Sequence, residues 1–276
     1  MLFAERPLLQ VALLEDRLVI GRAGHRRGET GKTEVVSVPR SGPHAPAWQP
    51  AMSALTGWLR ERDLKRARLH VFLSSQLARW QLLEWQPQLA RPQELEAYVR
   101  LRFRATFGSV ADSWRVVHTE PLPGRALPAC AIDEALLAEL QGLKSVGETT
   151  VASVVPYFSA AFDRWRGSMG DRMAWFGVAE PGSLTLGLLH RGVWHGLRSA
   201  RHEPQGTAGW RSVLPALQAQ IQLASGLDLA KAPPVYLVGC GVAVGDRRDP
   251  GLVWLAAESS ARPTEQSGIE RMAWGV

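Results

Sequence analysis

Met173-Ala-Trp-Phe-Gly-Val-Ala179, Glu180-Pro-Gly-Ser183, Leu184-Thr-Leu-Gly-Leu-Leu189, His190-Arg-Gly192 and Val193-Trp-His-Gly-Leu-Arg198 follow one another without spacer inside the stretch Arg172 to Gly245. Apolar runs of strand length separated by Pro/Gly turn chemistry read as a three-stranded antiparallel meander. Apolar residues at Trp210, Val213, Leu214, Leu217, Ile221 and Leu223 then recur at roughly the 3.6-residue period of a helix lying on a sheet, so a helix is expected over Trp210 to Leu223. Pro234-Val-Tyr-Leu-Val-Gly-Cys-Gly241 reads as a buried strand closed by a glycine turn.

The first half follows the same order. Pro7 to Leu14, Arg17 to Gly21 and Thr33 to Val38 read as three strands, with Glu15-Asp16 as the first turn. A helix from about Ala51 to Arg62 and a central strand over Ala67 to Leu73 come next. After a strand-turn-strand piece, His70 to Trp85, the residues Leu95, Tyr98, Val99, Arg102 and Phe103 lie at helical spacing, with Phe107 a turn further and Gly108 as a C-cap. Asp133 to Leu143 is a helix, Val151 to Pro156 a strand, Tyr157 to Trp165 a crossing helix, and Gly167 to Asp171 a hinge-like linker. The reading is an α/β protein of two lobes, residues 1–152 and 153–276.

This strand–strand–strand–helix–strand plan, met once per half, resembles the RNase H-like lobes of the actin, Hsp70 and sugar-kinase superfamily. The resemblance implies a nucleotide cleft between the lobes. In that superfamily the first turn of each half holds phosphate, usually through an Asp followed by glycines and a Thr or Ser. Here those turns are Glu15-Asp16, which has no glycine, and Glu180-Pro181-Gly182-Ser183, where proline removes one N–H from the cradle. Gly239-Cys240-Gly241 with Gly245 resembles the adenosine-binding loop. The residues the resemblance assigns to a degenerate cleft for ATP and magnesium are Asp16, Glu180, Gly182, Ser183, Gly239 and Gly241.

His70 to Gly108 has a closer resemblance, to the actin-like platform proteins of the PilM type in type IV pili and to the cytoplasmic domains of the GspL type in type II secretion. It implies a cytoplasmic scaffold, held at the inner membrane through a partner whose cytoplasmic tail binds in a groove of the first lobe, with homo-oligomers as a further option. The rival class is an ATPase or small-molecule kinase of the same superfamily. The secretion relative continues into a membrane span. No window of about 18 uncharged apolar residues occurs here, and a polar tail is expected over Glu258 to Arg271, so the soluble, pilus-type relative is the nearer match.

Composition fits a globular chain. The 276 residues are 46% hydrophobic and 21% charged, enough for a substantial core. The opening Met1-Leu-Phe-Ala-Glu-Arg lacks the order of a secretory signal. Cys130 and Cys240 are expected as buried free thiols rather than a disulfide. A net charge of +6 with clusters at Arg22 to Arg27, Arg60 to Arg68 and Arg100 to Arg104 invites a nucleic-acid reading, but acidic residues are interspersed and the positions fall on different faces, so a solvated surface is expected and no nucleic-acid partner. Of the 11 tryptophans, Trp58, Trp175 and Trp254 read as core, while Trp80 and Trp85 read as lobe packing or as partner anchors. His190 and His195 form a close pair without further ligands for zinc. Gly28-Glu-Thr-Gly-Lys-Thr33 ends like a phosphate loop but lacks its first glycine, and Ser74-Ser75 lacks the glycine-flanked elbow of a hydrolase nucleophile.

Overall fold

The computed structural model describes residues 7–22, 32–42, 45–89, 91–203, 209–229, 232–239, 251–255 and 265–273. The first sheet contains β1 (Leu8–Leu13), β2 (Arg17–Arg22), β3 (Thr33–Ser37), β4 (Arg68–Leu73) and, later in the chain, the strand Thr150–Pro156. Within it β1, β2 and β3 are antiparallel neighbours, whereas β1, β4 and Thr150–Pro156 run parallel. Helix α1 (Gln49–Glu61) makes the crossover from β3 to β4. The alternation of β1 divides its side chains between two cores. Leu9, Val11 and Leu13 face α1 and its neighbours, and Ala12 faces the other half of the molecule.

A second, smaller sheet is inserted between β4 and Thr150–Pro156. It consists of β5 (Ala78–Leu83), β6 (Trp114–His118) and β7 (Leu127–Asp133) in the antiparallel order β5-β7-β6. Helix α2 (Pro92–Phe107) covers it through Leu95, Val99 and Phe103, the apolar stripe read from the sequence, and Gly108 takes a positive φ of 78° at its end. Arg102, placed on that stripe by spacing, is exposed. Helix α3 (Glu134–Gly142) begins on the side chain of Asp133, which accepts the Ala135 N–H at 2.9 Å, and leads to β8 (Thr150–Pro156). The boundary expected at residue 152 falls within β8.

The remaining chain repeats the plan of the first sheet. Helix α4 (Tyr157–Met169) precedes β9 (Ala174–Glu180), β10 (Ser183–His190) and β11 (Val193–Arg201), an antiparallel meander. Helix α5 (Leu214–Ser225) crosses to β12 (Val235–Gly239), which pairs in parallel with β9 on one side and with β13 (Leu252–Trp254) on the other. Every residue of β9 and of β12 is buried, as expected of central strands covered on both faces. A Cβ on Gly196 would lie 2.2 Å from Ile221 Cγ2, so the absence of a side chain on β11 lets α5 seat directly on the sheet.

Three sequence expectations are corrected. The helix read over Trp210 to Leu223 is a short 3-10 turn, Gly209–Ser212, followed by α5. Pro215 stands in the first turn of α5, where its missing N–H costs nothing, and Leu223 is 86% exposed rather than part of the stripe. The linker expected from Gly167 begins only at Gly170, because α4 continues to the fully buried Met169. The polar tail contains helix α6 (Glu265–Met272), whose Ile269 and Met272, with Ala273, are buried at helical spacing among polar neighbours.

Helices α4 and α6 fill the space between the two five-stranded sheets. Tyr157, Phe158 and Ala161 of α4 and Ile269 and Met272 of α6 share one core with Ala12, Leu14 and Val19 of the first half and Phe176, Val178, Tyr236 and Val238 of the second. Phe158 joins the inserted sheet to the second five-stranded sheet. Its ring lies 5.4 Å from Trp80 on β5, 5.5 Å from Phe176 on β9 and 5.7 Å from Trp194 on β11, centroid to centroid. Of the two readings open for Trp80, lobe packing is the one observed. Phe158→Ala is expected to cost about 3–5 kcal/mol and to lower the denaturant midpoint accordingly. Urea unfolding followed by tryptophan fluorescence measures it, and a loss under about 1 kcal/mol would remove Phe158 from this role.

Candidate functional site

The two turns assigned to phosphate, β1–β2 and β9–β10, lie where the halves meet, and each is held by groups from elsewhere in the protein. In the first turn Leu14 N–H donates to Arg17 O at 3.0 Å, which leaves Glu15 and Asp16 at its tip. Asp16 is chelated by the neighbouring Arg17 guanidinium at 2.8 and 3.0 Å. Burial works against its charge, but the hydrogen bond and positive charge of Arg17, with Arg40 beyond, outweigh it and hold the carboxyl below its ordinary value. No contact among the described residues joins Asp16 to the other predicted site residues. Glu15, not Asp16, ties this turn to the second half. It is 6% exposed, and its carboxylate receives both terminal nitrogens of Arg201 on β11, one of them at 3.0 Å.

The second turn is Glu180-Pro181-Gly182-Ser183, with Gly182 at φ 81°. Glu180 is 2% exposed, and its two carboxylate oxygens accept the backbone N–H of Ser75 at 2.9 and 3.2 Å. Gln76 Nε2 donates to Pro181 O at 2.7 Å, and His202 N–H to Gly182 O at 3.0 Å. Burial pushes the Glu180 carboxyl above its ordinary value, while the Ser75 N–H and the hydroxyls of Ser74, Ser75 and Ser183 pull it back only in part. Ser183 is buried and sits opposite Glu180 on one side and Arg201 on the other in the sheet register.

The donors come from a tight turn after β4. Ser74 N–H donates to Leu13 O at 3.0 Å, Ser74 O accepts the N–H groups of Leu77 and Ala78, and Ser74 Oγ accepts that of Gln76. Ser74, Ser75 and Gln76 are 0%, 6% and 4% exposed. In the sequence Ser74-Ser75 stands out only as a pair that lacks the glycine-flanked elbow of a hydrolase nucleophile. The signal that could have found it was a polar triplet between two apolar runs, which must be satisfied internally if it is buried.

Gly239 ends β12 opposite Ala179, the residue before Glu180. Its φ is 114°, and a Cβ there would stand 2.0 Å from Ala179 O, so this end of the strand accepts glycine alone. The structure thus brings Glu180, Gly182, Ser183 and Gly239 together. Gly241, Cys240 and Gly245, and most of the Gly28 to Thr33 loop and the Arg22 to Arg27 cluster, lie outside the described residues.

Magnesium and a nucleotide polyphosphate need inward N–H groups and a carboxylate free to face the metal. Pro181 has no N–H. The Glu180 carboxylate is taken by Ser75, that of Glu15 by Arg201 and that of Asp16 by Arg17. The described residues of the two phosphate turns therefore do not fit the cofactor that the fold resemblance implies. Among the described residues no group of three His, Cys, Asp or Glu side chains could hold a metal ion. Elsewhere, Arg62 pairs with Glu34 and stacks on Trp58, Arg66 pairs with Glu148, Arg100 with Glu96 and Arg104 with Asp112. Cys130 is buried and its thiol is pushed up by burial. Among the described residues no helix is long and apolar enough to cross a membrane.

No protein-family model and no curated protein matches the chain. Solved structures do. The cytoplasmic domain of EpsL, an inner-membrane component of the type II secretion system of Vibrio cholerae, superposes with a TM-score of 0.55 at 14% identity over 97% of this chain and 92% of that one. The PilM–PilN type IV pilus biogenesis complex gives 0.56 at 15% identity over 97% and 96%. A Bacteroides thetaiotaomicron protein of actin-like ATPase fold and unknown function gives 0.55 at 12% identity over 88% and 85%. The chain has the actin-like fold.

Because the folded pKa of Glu180 lies above its unfolded value of about 4.5, its effect on stability is most favourable below that pH and declines as pH rises through the folded pKa. Glu180→Gln keeps an oxygen for the Ser75 N–H and removes the titration. The variant is expected to melt with the wild type at about pH 4.5 and above it at mildly alkaline pH. Paired thermal melts across that range test this, and a constant difference between the two proteins would refute it.

Proposed function

We propose that this protein is a non-catalytic, actin-like cytoplasmic scaffold of a type IV pilus or type II secretion platform, held at the inner membrane by the cytoplasmic tail of a partner. The observation that carries the reading is the closure of the phosphate turns by the protein's own groups, Ser75 and Gln76 against Glu180-Pro181 and Arg201 against Glu15. An ATPase or kinase needs those donors and carboxylates for substrate. A scaffold gains from the same contacts, since they join the first half to the second and preserve one surface for a partner. In this reading the lobes divide between β8 and β9, and the inserted sheet with α2 belongs to the first lobe. The likeness in fold to the EpsL domain and to the PilM–PilN complex supports the choice of system.

Incubation of the purified protein with ATP and magnesium is expected to release phosphate no faster than the buffer alone. Calorimetric titration with a peptide spanning the cytoplasmic tail of the platform protein from the same organism is expected to show saturable binding, unchanged in Asp16→Ala and in Glu180→Gln, which keeps an acceptor for the Ser75 N–H. Turnover that either substitution abolishes would establish the enzyme instead.

A further inference from the structure

Helix α5, Leu214-Pro-Ala-Leu-Gln-Ala-Gln-Ile-Gln-Leu-Ala-Ser225, carries no charged residue in a chain that is 21% charged. Its inner face seats it on the sheet: Leu217 and Ile221 are buried against β10 and β11, with Leu214 beside them. A helix turns by about 100° per residue, which sends Ala216, Ala219 and Leu223 to the opposite side. All three are exposed, Leu223 at 86%, and the neutral amides of Gln220 and Gln222 flank them. A surface helix ordinarily keeps charged and polar groups on its outer face, whereas one that is apolar on both sides is covered on both. The outer face of α5 is therefore built for contact.

The pattern of the face says with what. Positions i, i+3 and i+7 give the knob spacing of a helix pair. Ala216 and Leu223 stand equally far from the point between Ala219 and Gln220. A second α5 laid antiparallel across a two-fold axis at that point sets Leu223 of each copy over Ala216 of the other, so a large side chain meets a small one twice. The same operation brings the Arg211 end of one helix to the Asp228 end of the other, with opposite charges at both ends of the seam. A charged tail or an anionic surface would need countercharges that this face lacks. Two chains of net charge +6 repel each other, and an uncharged face is where that repulsion opposes contact least.

We propose that α5 is the self-association face of this protein, through which two copies pair about a two-fold axis with their α5 helices antiparallel. At 1.5 Å per residue the helix is about 18 Å long and covers less than a standard interface, so the pairing is weak, with a Kd on the order of 10–100 µM. The inference rests on α5 and not on the scaffold reading.

Sedimentation velocity of the full chain, from the order of 1 µM to the order of 300 µM, is expected to show a reversible monomer–dimer equilibrium. Leu223→Ala should weaken it at least about tenfold, because a symmetric pair loses the side chain twice. Leu223→Glu should leave a monomer, since it buries two unpaired charges in the seam. Leu223 is exposed, so both variants are expected to melt like the wild type at low concentration. The register has its own readout: under mild oxidation, copies carrying Ala216→Cys and copies carrying Leu223→Cys should form a mixed disulfide faster than either cross-links with itself. A dimer indifferent to Leu223→Glu, or cross-linking without preference for the mixed pair, would overturn the proposal. A monomer throughout the range would overturn it too, and weaker binding of the platform tail peptide by Leu223→Glu would then assign the face to that partner instead.

Discussion

The buried Glu180 carboxylate, gripping the Ser75 N–H of the opposite half, is the contact on which the relation of the two halves depends. A carboxylate at 2% exposure is tolerated only where hydrogen bonds replace its water. Here the replacement comes from the Ser75 backbone amide just beyond the end of β4. The contact constrains three elements at once: the Ser74 turn, the β9–β10 turn and, through Ala179, the glycine end of β12. A second tie, Glu15 to Arg201, joins the β1–β2 turn to β11.

Apolar packing complements the polar ties. Phe158 contacts aromatic residues from the inserted sheet and from two strands of the second half, and α6 returns from the end of the chain to cover both five-stranded sheets. The Glu180 contact is itself buried, and low local polarity strengthens a satisfied hydrogen bond as much as it penalises an orphaned one.

The two repeated sheets were legible in the sequence because their strands are continuous apolar runs joined by short Pro, Gly and Asp turns, signals local in the chain. The inserted three-stranded sheet was not. β6 is half exposed and β7 pairs with β5 across more than forty residues, so its order depends on contacts that no local period reports. α6 was not legible because two apolar residues, Ile269 and Met272, among polar ones give a weak period over eight residues. At the candidate site, Glu180, Gly182, Ser183 and Gly239 lie together as the strand order implied. The choice of Asp16 over Glu15 turned on side-chain direction at a turn, which sequence does not carry. Ser75 and Arg201 became visible only once distant strands were placed side by side.

Amide hydrogen exchange at Ser75 tests the central claim most directly. If Glu180 is a permanent structural acceptor, the Ser75 N–H exchanges as slowly as the amides of β1 and β9, and ATP with magnesium leaves its protection unchanged. Rapid exchange at Ser75, or protection that disappears when the nucleotide is added, would show that the turn opens to receive a ligand and would contradict the account.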